Sequence, residues 1–233
     1  MSDPLFYAPA VPGIGQTVTL GAEEAQHAAG SRRLHAGDSL WLFDGRGSLA
    51  RTTVIALDRR GRSVELRVEE RREEAAPARR LHLACALPKG DRQSVLLDMA
   101  TQLGMTDFTP LRCERSVVTA NANSAERWTR VCLSACKQSR RLFLPALHPE
   151  FTPGTLPLAG PALLAHPDGG ALRTALPGVQ ASLTLLVGPE GGFTETELRS
   201  FEAAGARRVS LGPSILRIES AAIALLAAVQ FAG

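Results

Sequence analysis

Three short stretches concentrate the residues whose types and spacing suit chemistry. In Val187-Gly188-Pro189-Glu190-Gly191-Gly192-Phe193, three glycines and one proline fall within the six residues from Gly188. Glycine permits positive φ and lets a ligand approach the backbone closely; Pro189 stiffens the turn. No Lys-Ser or Lys-Thr follows the glycines, and they are not spaced as GxGxxG, so the loop matches neither phosphate-binding pattern. It suits backbone contact with a small ligand; the alternative is a tight strand-to-helix turn. In the second stretch, Leu211-Gly212-Pro213-Ser214-Ile215-Leu216-Arg217, Arg217 and then Glu219 stand at the head of an almost wholly apolar helix. Charges there need a partner or a task, and an intramolecular salt bridge is the alternative to a catalytic role. The third stretch is Ala165-His166-Pro167. All three are expected at strand exits, where open α/β sheets bind ligands.

Other chemistry finds little support. His27, His35, His82, His148 and His166 do not cluster at metal-ligand spacing, and Cys132 and Cys136 lie one helical turn apart without a CxxC or a nearby histidine. No metal is expected, and Cys85, Cys113, Cys132 and Cys136 read as reduced, mostly buried thiols. There is no GxSxG elbow and no catalytic-cysteine signature.

The elements that must position these loops follow from periodicity. Short strand-like runs at Val18–Leu20, Ser39–Phe43, Ala50–Leu57 and Ser63–Val68, separated by Gly-containing turns, predict a small barrel, with a helix over Glu23–Arg33. The charged run EERREEAAPARR, Glu69–Arg80, reads as a linker and boundary, giving domains 1–70 and 81–233 joined by 71–80. Beyond it strands alternate with helices. Strands are predicted at Leu81–Leu87, Phe108–Leu111, Ala162–Ala165, Leu183–Val187 and Arg208–Leu211. Helices are predicted at Asp91–Leu103 (with Val95, Leu96, Met99 and Leu103 on one face), Ser124–Ser139, Thr194–Gly205 and Arg217–Phe231. Thr194 with Glu197 forms a capping box. The fold class is therefore α/β, with a mostly parallel sheet covered by helices. Ala221–Val229 is apolar all round and is expected to be buried on several sides, including at a subunit interface.

With 233 residues, 45% hydrophobic and 21% charged, the chain is too apolar for disorder and long enough for one large or two small domains. No apolar run reaches the roughly 18 residues that cross a bilayer, and residues 1–15 lack the pattern of a signal peptide. A soluble cytoplasmic protein is expected. Of 26 basic residues only Lys89 and Lys137 are lysine. Arginine forks match phosphates and stack on bases, although the codon bias of a GC-rich genome would produce the same excess.

GPEGGFTETEL, residues 188–198, followed by LGPSILRIESAAIALLAAVQ, residues 211–230, resembles the RsmE family of ribosomal RNA small-subunit methyltransferases, of the SPOUT (trefoil-knot) class. The resemblance covers almost the whole chain. His27, Arg33 and Leu42-Phe43-Asp44-Gly45 match the family's PUA-like barrel, and Lys89-Gly90, Leu103-Gly104, Glu114-Arg115-Ser116 and Gln138-Ser139 with Arg141 match its middle.

It implies a C-terminal trefoil-knot domain, a topology that general folding rules would exclude, behind a small N-terminal PUA-like β-barrel. It implies S-adenosylmethionine as cofactor, held by Ala165, His166, Val187, Gly188, Glu190, Gly191, Leu211, Gly212, Ile215 and Leu216. It implies methylation of N3 of a uridine in 16S rRNA of the small subunit, with Arg217 orienting or stabilising the base. Glu219 is expected to position Arg217 or a backbone group, or to act as the base itself. Arg33, Arg115 and Arg141 would clamp rRNA phosphates, and the enzyme would be a homodimer. The chain departs from the family pattern at Met99, Gln102, Lys137, Arg140 and Ile218. The alternatives are a SPOUT methyltransferase acting on another RNA site, or a non-catalytic RNA-binding assembly factor.

Overall fold

The computed structural model describes residues 3–30, 34–58, 63–176 and 182–231. The chain divides into two compact units, Met1–Ala76 with Cys136–Leu144, and Pro77–Ala135 with Pro145–Gly233.

The first unit contains strands β1 (Leu5–Tyr7), β2 (Thr17–Thr19), β3 (Ser39–Phe43), β4 (Ser48–Leu57) and β5 (Val64–Glu73), with helix α1 (Ala22–Gly30). They form one sheet of order β1-β3-β4-β5-β2. β1 runs parallel to β3, and the remaining pairs are antiparallel. Phe6, Leu40, Leu42, Val54, Val64, Leu66 and Val68 meet Ala25 and Ala28 of α1 in a single core. β5 runs five residues beyond Val68, into the stretch read from sequence as a charged linker. Its backbone keeps pairing with β4 through Ser48↔Glu73, while its side chains are exposed on both faces. With neither face buried, apolar alternation is not required; Arg71 pairs with Glu73, Arg72 with Glu74, and the Arg72 guanidinium lies 5.9 Å from the Trp41 ring centre. Residues 136–144 return to this unit. Leu144 N donates to Gly45 O at 2.9 Å, and Lys137 pairs with Glu24. At Gly47 (φ +109°) a Cβ would lie 2.6 Å from the Phe143 ring, so only glycine fits.

The second unit is built on β6 (Leu81–Ala86), β7 (Asp107–Leu111), β8 (Ala146–Leu147), β9 (Ala162–Ala171), β10 (Leu183–Val187) and β11 (Ala206–Ser210). Their order is β11-β9-β10-β6-β7-β8, and every pair is parallel. Burial on both faces explains the run Leu183-Thr184-Leu185-Leu186-Val187, apolar but for Thr184. The covering helices are α2 (Arg92–Gln102), α3 (Ser124–Ser139, whose last turn counts with the first unit), α4 (Glu195–Ala203) and α5 (Ile218–Gln230).

Two expectations are corrected here. On α2 the buried residues are Gln93, Leu96, Leu97, Ala100 and Thr101, whereas Val95 and Met99 are 47% and 42% exposed. The strand expected to end at Ala165 continues to Ala171. Its pairing with β11 jumps from Leu164↔Arg208 to Gly170↔Val209, so residues 165–169 arch out of register. Gly169 lets this arch close, because a Cβ there would fall 2.4 Å from the Val209 carbonyl carbon.

Candidate cofactor site

Parallel strands direct all their carboxyl ends to one edge, and there the arch of β9, the loop after β10 and the loop after β11 enclose a cavity of about 440 Å³. This volume lies within the roughly 300–1,000 Å³ usual for small-molecule sites. Ala165 and His166 enter from the arch, Val187, Gly188, Glu190 and Gly191 from the glycine loop, and Leu211, Gly212, Ile215 and Leu216 from the third loop. The structure thus brings together all ten residues expected from sequence to hold a cofactor.

The local causes are visible. Thr194 caps α4: its hydroxyl accepts from Glu197 N at 3.4 Å, and Glu197 Oε2 accepts from Thr194 N at 2.8 Å. The other oxygen of Glu197 accepts from Glu114 N at 2.7 Å, tying the glycine loop's exit to the segment after β7. At Gly188 a Cβ would lie 2.9 Å from the Phe193 ring, and at Gly191 one would meet Arg115 side-chain carbons at 3.3 Å. The loop therefore has glycine where its backbone is packed too closely for a side chain. In the arch, His166 Nδ1 accepts from Asp168 N at 3.2 Å.

The residues expected to do chemistry stand apart from the ten. Arg217 is the N-cap of α5, is exposed, and makes no side-chain hydrogen bond or ion pair among the described residues. Glu219 is only 12% exposed, and its Oε1 lies 3.6 Å from Nη1 of Arg92, not beside Arg217. Its Oε2 is buried with no hydrogen-bond partner among the described residues. Such an atom is costly unless a ligand or water completes it. Arg92 Nη2 also lies 3.9 Å from Glu190 Oε1. Burial pushes the Cys85 thiol well up, with Cys113 and then Glu219 and Glu190 adding to the rise. Burial pushes Cys113 up to about 12. All four cysteines are buried and unbridged, and none of these two thiols is a thiolate nucleophile at neutral pH.

Of the arginines expected on RNA, Arg33 lies outside the described residues. Arg115 lines the cavity, and its Nη1 donates to Gly191 O at 2.8 Å. Arg141 is half-buried, and burial pulls its guanidinium below the usual arginine range. Sequence reasoning missed Arg92, although its position directly after Lys89-Gly90-Asp91 at a strand exit was a usable signal. Among the described residues no group of His, Cys, Asp and Glu suits a metal ion, and no helix is long and apolar enough to cross a membrane.

Comparison with known proteins agrees with this architecture. Residues 74–230 match an RNA methyltransferase domain, and residues 20–66 an RNA methyltransferase PUA domain. A relative from Mycobacterium bovis, ribosomal RNA small subunit methyltransferase E, is 35% identical over 97% of this chain and 90% of its own. A Legionella pneumophila protein solved with its cofactor SAM superposes with a TM-score of 0.91 at 29% identity, covering 100% of this chain and 99% of its own. The Neisseria gonorrhoeae ribosomal RNA small subunit methyltransferase E, bound to S-adenosyl methionine, gives 0.88 at 29% identity over 98% and 97%. The fold is α/β of the SPOUT class behind a PUA-like domain.

Proposed function

The chain belongs to the ribosomal RNA small subunit methyltransferase E family of RNA methyltransferases, and from that membership we propose that it transfers a methyl group from S-adenosylmethionine to N3 of a uridine in 16S rRNA. One observation carries this reading: the residues of the arch, the glycine loop and the third loop line a single cavity at the carboxyl edge of the sheet. Its size and its close-packed glycine backbone fit such a ligand. When bound, the cofactor supplies an electrophilic methyl group on a sulfonium, so no metal is required.

The chain's own residues do the rest. Gly188 and Gly191 leave main-chain groups accessible to the ligand. A uridine attacks through N3 only once the N3 proton has left, and a nearby positive charge stabilises the resulting uridinate. Arg217, exposed and unpaired within the described residues, is suited to that task. Glu219, with one oxygen lacking a donor among the described residues, is suited to orient or accept a proton. Arg115 lines the cavity and is a proposed contact to rRNA phosphate, as are Arg33 and Arg141.

We also propose a cytoplasmic homodimer. Val95 and Met99 on α2 are exposed apolar residues, and Ile223, Ala224, Ala227 and Ala228 of α5 are only half-buried. A sedimentation measurement giving twice the chain mass is the expected result.

The test of the reaction is treatment of 16S rRNA and of small subunits with protein and tritiated cofactor, followed by primer extension. N3 methylation blocks the pairing edge, so a new stop at one uridine is expected. Label elsewhere would redirect the reading to another RNA site. No calorimetric binding of S-adenosylmethionine at about millimolar concentration, where even weak affinities register, would remove the enzyme reading altogether.

A further inference from the structure

We infer that Arg92 is a positioning residue for methyl transfer: its guanidinium holds Glu190 and Glu219 in place and ties the glycine loop and the start of α5 to the start of α2. The inference rests on the functional reading above and adds a residue that the cofactor motifs do not contain.

The geometry is a three-way fork. Arg92 Nε donates to Lys89 O at 3.3 Å, Nη1 lies 3.6 Å from Glu219 Oε1, and Nη2 lies 3.9 Å from Glu190 Oε1. Its three partners follow three different strands, β6, β10 and β11. The side chains of Arg92, Glu219 and Glu190 are 32%, 12% and 39% exposed, so the pair with Glu219 is less screened than a surface salt bridge, while the pair with Glu190 is close to one. A planar guanidinium offers a separate nitrogen to each carboxylate in a fixed fork, which the single nitrogen of an ammonium cannot reproduce.

The cluster is also incomplete. Two carboxylates face one guanidinium, and Glu219 Oε2 has no donor among the described residues. Glu190 lines the cavity directly, and Glu219 lies between Ile218 and Ala221, which line it too. Without Arg92 the two carboxylates would repel each other, and Glu219 would lose its ion pair at the start of α5.

The test is a kinetic double-mutant cycle on the full chain with 16S rRNA and S-adenosylmethionine. Arg92→Gln should lower kcat at least about tenfold while KM for rRNA stays within about twofold, a split that general loosening of the fold would not give. Because Arg92 acts through Glu219, Arg92→Gln combined with Glu219→Gln should be no slower than Glu219→Gln alone, within about twofold. Arg92→Lys should recover at least about threefold of the loss by keeping one pair. Should Arg92→Gln fail to fold, judged by circular dichroism, the same cycle runs with Arg92→Lys. An unchanged kcat, or losses that multiply in the double variant, would overturn the inference while leaving the methyl-transfer reading intact. A wild-type chain that transfers no methyl group would overturn both.

Discussion

The two ends of the parallel sheet hold carboxylates in opposite conditions. At the amino end, Asp107 of β7 uses both oxygens. Oδ1 accepts from Arg80 and from His148 Nε2 at 3.0 Å, and Oδ2 accepts from Arg80 Nε at 3.1 Å and Thr106 Oγ1 at 2.8 Å. Burial pushes this carboxyl up, but the bonds from Arg80, His148 and Thr106, with the Arg80 charge, outweigh it and hold it at about 2, against an ordinary 3.8. At the carboxyl end, Glu219 has one oxygen near Arg92 and the other without a partner among the described residues. A completed network lowers the energy of the fold; an incomplete one sets aside bonding capacity for a ligand. On the proposed function, the same sheet divides its polar groups by task, with stability at one end and recognition at the other.

Substitutions at the two ends should separate these tasks. The largest effect is expected from Arg217→Ala. Methyl transfer should fall at least about a hundredfold, near 2.7 kcal/mol of transition-state stabilisation, with an unchanged thermal melt, because the exposed Arg217 side chain has no partner among the described residues. Unaltered turnover would remove Arg217 from the chemistry. Next, Asp107→Asn should cost on the order of 2 kcal/mol of stability in urea unfolding and leave turnover within about twofold. The sign with pH follows from a folded-state pKa below the unfolded value. The stabilisation is present above 3.8 and is lost as pH falls from there toward about 2. Asp107→Asn should flatten that acid limb, and a variant that keeps it would show that another group is responsible.

Gly191→Val probes the carboxyl end more gently. The new side chain presses on Arg115, whose carbons already lie 3.3 Å from the Cβ position and whose Nη1 bonds Gly191 O. Affinity for S-adenosylmethionine should drop at least about tenfold by calorimetry, about 1.4 kcal/mol. Unchanged affinity would mean that the ligand lies elsewhere.

How much of this was legible in the sequence depends on the range of the interaction. Local signals read well. Thr194 and Glu197 announced the cap of α4, the run Leu183–Val187 announced a strand buried on both faces, and the two glycine-containing loops announced the cavity. Interactions between distant residues did not read. Arg92 meets partners that are remote in sequence, and its place at a strand exit hints at a role without showing which residues it bridges. On α2, apolar type misled. Gln93 is buried because its amide is satisfied, donating to Pro88 O at 3.0 Å and accepting from Arg127 and from Trp128 Nε1 at 3.2 Å, whereas Val95 and Met99 face outward. Periodicity records which residues are apolar, not which polar ones have found partners. The charged residues of β5 escaped for a related reason, since a strand held by its backbone ladder needs no apolar face.

The smallest effect is expected at the cap itself. Thr194→Ala removes the hydroxyl that accepts from Glu197 N, but leaves the Glu197 carboxylate free to accept from Thr194's backbone position and from Glu114 N. Half of the capping box survives, so the loss of stability should be about 1 kcal/mol. The cavity should hardly change, because the surviving half, joining residue 194 to the segment after β7, also fixes the exit of the glycine loop. S-adenosylmethionine affinity is therefore expected to stay within about threefold, less than 1 kcal/mol. If affinity instead fell as steeply as in Gly191→Val, the cap would belong to the recognition end of the sheet, and the boundary between stabilising and ligand-binding groups would have to be drawn one turn further into α4.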